Sequence, residues 1–80
     1  MLLINKKELE FIAENSTSDK MKKWASVHAN HLEGKQQLGL DNGQYTVQAG
    51  KQRIESIAPS NWTPTSDDLK EELGYEVEKA

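Results

Sequence analysis

Cysteine is absent from these 80 residues, which excludes a disulfide framework, a zinc–thiolate site, an iron–sulfur cluster and a cysteine nucleophile. Long apolar runs are missing too. The longest early one, Met1 to Ile4, is too short for a signal-peptide core or a membrane span. The chain is therefore expected to be soluble and cytoplasmic, without a membrane partner. On that expectation Asn15-Ser16-Thr17 and Asn61-Trp62-Thr63 are chance matches to the glycosylation triplet. Apolar residues are thin overall. Counted with glycine and without tyrosine they number 31 of 80, or 39%, against about 45–50% in ordinary soluble domains. Leu, Ile, Val and Phe together make 20%, at the edge of the disordered range, but the net charge of −3 is far from the strong imbalance that keeps chains unfolded. A chain of 9.0 kDa buries roughly 63% of its unfolded surface. This composition implies one small, lightly stabilised domain over residues 1–80, with reason to seek support from a partner, a second copy of itself included.

The motifs of chemistry are missing as well. No phosphate-cradling glycine loop, no Gly-x-Ser-x-Gly elbow and no calcium-loop spacing occurs. His28 and His31, three apart on one helix, would offer two imidazoles to a metal with Glu33 beside them, but zinc needs three or four ligands. His28 also sits at the centre of an apolar helix face, where a hydrogen-bonded core or interface histidine is the better reading. Asp67 with Glu71, and Asp68 with Glu72, lie one helical turn apart, which suits a solvated acidic face better than a cation site. No enzymatic activity, metal or cofactor is expected.

What is present is pattern. Met1 to Ile4 reads as a short buried strand leading into a helix. Asn5 with Glu8 has capping-box spacing, and Leu9, Ile12 and Ala13 form the inward stripe. After the polar break Asn15–Ser18, the interval 19–33 is the best-patterned helix. It sets Met21, Trp24, Ala25, His28 and Leu32 on one face and Lys22, Lys23, Ser26 and Asn30 on the other, with Gly34 as its stop. Asn42-Gly43 favours a two-residue hairpin turn that pairs Leu40 with Tyr45 and Leu38 with Val47. Gly50-Lys51 offers a second turn, which would set Ile54 opposite Val47 in a three-stranded meander. Ile54, Ile57 and Ala58 fit helical spacing equally, so residues 51–58 stay open between strand and helix. A proline-bounded loop from Pro59 to Pro64 carries Trp62. Thr65 or Ser66 then caps a short helix that Leu69 and Leu73 turn inward and Gly74 ends. Tyr75 and Val77 alternate, fitting a short strand or a docked tail, and the acidic end 75–80 is a candidate mobile segment. The expected fold is α+β: two N-terminal helices, an antiparallel hairpin or three-stranded meander, and a short C-terminal helix. Met21, Trp24, Ala25 and Leu32 should pack on Leu38, Leu40, Tyr45, Val47 and Ile54, with Leu9, Ile12 and Leu69 closing the core.

Charge is unevenly placed. Residues 20–53 carry six bases against two acids, and residues 67–80 six acids against two lysines. The function this fits is a small non-catalytic intracellular protein-binding module, an adaptor or inhibitor of a larger macromolecular partner. Trp62 would be its anchor, because large aromatics dominate interface energetics; the competing role for Trp62 is a lid over the sheet. Asp67, Asp68, Glu71 and Glu72 would present an acidic face that imitates a phosphate backbone towards a basic cleft. An origin in a phage or mobile element is a prior that goes with small, acidic, stand-alone chains. The alternative is a DNA-binding regulator of winged-helix-like design. Lys20, Lys22, Lys23 and Asn30 of helix 19–33 would enter the groove, and Lys51 and Arg53 of the second turn would touch phosphates. A pI of about 5.3 weighs against it.

Overall fold

Leu2 and Ile4, Leu38 and Leu40, and Tyr45 and Val47 each alternate with residues of the opposite face, so three strands direct their large side chains to one side of a sheet. In the computed structural model, which describes residues 1–41, 44–57 and 62–79, that side is covered by helices. The order is β1 (Leu2–Asn5), α1 (Lys6–Asn15), α2 (Asp19–His31), β2 (Gln37–Asp41), β3 (Gln44–Ala49), β4 (Gln52–Ile57), α3 (Ser66–Leu73) and β5 (Glu78–Lys79). The described strands form one antiparallel sheet in the order β4-β3-β2-β1-β5. The architecture is α+β, as the pattern implies, with a meander of β2, β3 and β4 that β1 and β5 extend.

The caps follow from residue chemistry. Asn5 Oδ1 accepts from the Glu8 N–H at 2.8 Å, and Glu8 Oε1 accepts from the Asn5 N–H at 3.0 Å, closing the capping box of α1. Ser18 is the hydroxyl that caps α2, accepting from the Met21 N–H. Thr65 and Asp68 make the same reciprocal pair at the start of α3, and Gly74, at φ 84°, ends it. The end of α2 differs from expectation. The helix stops at His31 with Leu32 as its cap, and not at Glu33 before Gly34. Leu32 leaves helical geometry (φ −89°, ψ 143°) and is 1% exposed. Its carbonyl accepts from Lys6 Nζ at 3.0 Å. Core burial and a long-range hydrogen bond thus terminate the helix two residues early. The positive φ of Gly34 (58°) serves instead the turn into β2.

Leu40 faces Tyr45 and Leu38 faces Val47, as hairpin spacing requires; the Asn42-Gly43 turn itself lies outside the described residues. The next pairing holds a correction. Residues 52–57 are strand, but Val47 pairs with Glu55, not with Ile54. Register runs regularly from Ala49↔Gln52 to Gln48↔Arg53 and then shifts by one, leaving Ile54 as the extra residue of a β-bulge. Side chains alternate with a period of two, so one inserted residue exchanges the faces. Ile57, now opposite Tyr45, packs against the core, and Ile54 is 49% exposed. The rest of the expected core is present, joined by Ile4, Ala29 and Val77. Ala58, one of the residues that left strand and helix open, is outside the described segment.

On the far face Met1 lies across Gly39, where a β-carbon would stand 2.7 Å from Met1 Sδ and 2.5 Å from Thr46 Oγ1. Leu3, which shares that face, is 6% exposed, and Gln37 Nε2 donates to Glu78 Oε2 beside it. The C-terminal segment is docked: Val77 is 5% exposed, and Glu78 and Lys79 pair with Leu3 and Leu2.

The bulge gives a direct test. Ile54→Thr should change unfolding free energy by less than about 0.5 kcal/mol. Ile57→Thr should cost roughly 1 kcal/mol, since complete burial of such a side chain is worth about 1.5–3 kcal/mol. Urea unfolding decides it, and a larger loss at Ile54 would mean the unshifted register.

Candidate partner-binding surfaces

The two histidines separate. His28 is 6% exposed and wedged between rings, 5.4 Å from Trp24 and edge-on to Tyr45 at 4.8 Å between centroids. Burial holds its pKa below the ordinary value of 6.5, and the neighbouring His31 adds to the effect. His31 points outward, where Nε2 meets the Glu55 carboxylate of β4. The pair therefore shares no ligand position, and among the described residues no group of three or more His, Asp or Glu is placed to hold a metal.

The residues expected to bind a partner are divided by the fold. Trp62 is half-buried against the core, and Lys20 Nζ lies 5.6 Å from its ring centroid. This is the placement of a lid at the start of α2, steadied by a cation–π contact. Asp68 is engaged in the capping box of α3. Glu72 is half-buried, and its Oε2 has no hydrogen-bond partner among the described residues. Asp67 and Glu71 remain exposed.

The basic residues are divided as well. Lys22, Lys23, Ser26 and Asn30 are exposed together on α2. Lys51 stands at the β3–β4 turn. Arg53 pairs with Gln48, whose face is opposite to that of the core residues Tyr45 and Val47. Arg53 and the α2 lysines thus belong to different layers.

A surface not foreseen from the sequence lies on the other side of α1. Phe11 is 48% exposed and Tyr75 is 51% exposed. With Leu73, Asn5, Lys7 and Glu8 they line a cleft of about 310 Å³. Tyr75 donates its phenolic proton to Glu8 Oε2 at 2.6 Å, and the other oxygen of Glu8 is held by the Asn5 N–H. The exposed ring is therefore tethered through Glu8 to the start of α1. That hydrogen bond, with lesser contributions from burial and from the carboxylate charge, raises the pKa of Tyr75. Phe11 falls outside the stripe of Leu9, Ile12 and Ala13. A lone phenylalanine on the polar side of a helix was the available signal. Tyr75 carried none, because only tertiary folding brings it within reach of Glu8. A larger hollow, about 410 Å³, opens around Met1, Gln44, Thr46, Ser56 and the oppositely charged Asp41 and Arg53. It offers no exposed aromatic ring, so it is the less suited to an apolar anchor.

No helix among the described residues is long and apolar enough to cross a membrane. No protein-family model matches the chain, and neither does a curated protein or a solved structure.

The lowered pKa of His28 has a consequence for stability. The folded state favours neutral imidazole, so the unfolded chain takes up the proton first as pH falls. The contribution of His28 is complete above the unfolded value of 6.5 and declines as pH drops below it. Urea unfolding of the wild type between about pH 7.5 and 5 should show this loss, with a shallower slope for His28→Gln. Identical slopes would rule it out.

Proposed function

We propose that the protein is a non-catalytic protein-binding module, an adaptor or inhibitor of a larger partner, and that its contact is the cleft between α1 and the Leu73–Tyr75 segment. The observation that carries this reading is the pairing of two half-exposed aromatic rings in one cleft. Aromatic rings left in water in a chain this short of apolar residues are otherwise wasted burial, and such side chains are enriched at interfaces. Tyr75 is already held by Glu8, which lowers the entropy lost on docking. Trp62, the anchor expected from the sequence, contributes as a lid. Phe11→Ser should abolish co-purification of the cellular partner recovered with the wild-type protein. Val27→Ser, at a residue 54% exposed on α2, should leave recovery intact. Equal recovery by Phe11→Ser and wild type would overturn the reading.

A second reading, nucleic-acid binding, draws on the shared exposure of Lys22, Lys23, Ser26 and Asn30 along α2. Its signature is duplex binding that weakens steeply with salt and disappears in the Lys22→Glu, Lys23→Glu double variant. Absence of binding at low salt would remove it.

A further inference from the structure

We infer that the hollow between the start of α1 and the turn into β2 is a binding site for a phosphate monoester, or for the free phosphate that shares its chemistry. The sheet register builds it. β1 ends at Asn5, which pairs with Gln37 at the start of β2, so the first residues of α1 lie beside residues 34–36. Lys6, Lys7 and Lys35, distant in sequence, thereby line one hollow of about 280 Å³ together with Gln36 and Gln37. Among the described residues neither a carboxylate nor an aromatic side chain lines it. The site does not depend on the protein-binding reading above.

The charge of this hollow is uncompensated. The chain holds 13 carboxylate side chains against ten lysines and arginines. Yet among the described residues no ion pair reaches Lys6, Lys7 or Lys35. The neighbouring acids are engaged elsewhere: the two oxygens of Glu8 accept from the Asn5 N–H and the Tyr75 hydroxyl, and Glu78 Oε2 accepts from Gln37 Nε2. Glu33, beside Gly34, is exposed and pairs with no lysine. A concavity lined by charge of one sign focuses its field and gathers counter-ions.

Lys6 is held in advance. It is half-buried, and its Nζ donates to the Leu32 carbonyl at 3.0 Å, which leaves two N–H bonds for a further acceptor. Gln36 Oε1 accepts from the Glu33 N–H at 2.9 Å, so the amide nitrogen of Gln36 remains as a neutral donor. Lys35 is exposed, and Lys7 lines both this hollow and the Phe11–Tyr75 cleft. Three ammonium groups match a phosphate monoester, which carries about −1.5 to −2 at neutral pH, better than a diester of single charge. The hollow is smaller than the roughly 300–1,000 Å³ of pockets that enclose whole ligands. Without a ring on which a base could stack, it suits the phosphate group alone.

The test titrates ¹⁵N-labelled protein, at constant ionic strength, with inorganic phosphate, methyl phosphate and dimethyl phosphate. Inorganic and methyl phosphate should give saturable shifts centred on residues 5–7 and 34–37. Dimethyl phosphate should bind at least about fivefold more weakly. Lys35→Glu, at an exposed turn position, should weaken methyl phosphate binding roughly tenfold or more, and Lys35→Arg should restore it. Lys7→Gln, at a second exposed position, should weaken binding in the same direction. Lys70→Glu makes the same change of net charge on α3 and should leave binding within about twofold. Tighter binding of inorganic phosphate would support the site as one for the free ion, and tighter binding of methyl phosphate as one for an ester. Equal binding of dimethyl phosphate would reduce the hollow to a general basic patch and overturn the inference. Full binding by Lys35→Glu, or equal losses in Lys35→Glu and Lys70→Glu, would overturn it as well. So would the absence of saturable shifts at residues 5–7 and 34–37 in protein with native amide dispersion.

Discussion

The hydroxyl of Tyr45 joins the layers of this molecule. It accepts from Trp24 Nε1 at 3.0 Å and shares a hydrogen bond with Thr63 Oγ1 at 2.6 Å. One oxygen on β3 thereby ties α2 to the sheet and to the segment that leads into α3. Tyr45 is 1% exposed and Trp24 5%. An unpaired polar group at that depth would cost about 1–3 kcal/mol, so each of the two rings depends on the other being in place. His28 fills the space between them. A chain short of aliphatic residues closes its core with rings, each of which buries about 150–250 Å².

Once that layer is set, polar side chains divide into those the fold uses and those it leaves to solvent. Lys6 caps the carbonyl of Leu32, Asp68 closes the capping box of α3, Lys20 covers Trp62, and Glu8 holds both the start of α1 and Tyr75. None of these roles is expressed in the net charge. The acidic character of residues 67–80 is accordingly less uniform than the composition suggests: of Asp67, Asp68, Glu71 and Glu72, only Asp67 and Glu71 are both exposed and outside the caps. The feature that distinguishes the acidic side is the pair of exposed rings between its helices.

Local signals were legible wherever both partners of an interaction lie within a few residues. The Asn5–Glu8 box, the helix face from Met21 to Leu32 and the Leu38/Val47 and Leu40/Tyr45 pairings all belong to this class, and all are present. Ile54 was misplaced because two-residue turn logic assumes an unbroken register, and a bulge costs one residue with no marker in composition. The end of α2 was misplaced because Gly34 is a strong local stop, and the burial of Leu32 overrides it. On the candidate surface, the exposed basic face of α2 was legible from periodicity. The cleft was not, since its walls lie more than sixty residues apart.

The amino-acid sequence by itself determined the class: an α+β fold, with apolar residues gathered on one face of each long element and charge separated along the chain. These follow from periodicity and capping, which act over three or four residues. Tertiary structure alone decided that β1 and β5 extend the sheet, that Ile57 and not Ile54 faces the core, that Trp62 packs on the core beneath Lys20, and that Phe11 and Tyr75 line one open cleft. Each of those depends on contacts between distant segments, where burial and hydrogen bonding outweigh the local preference of any one residue.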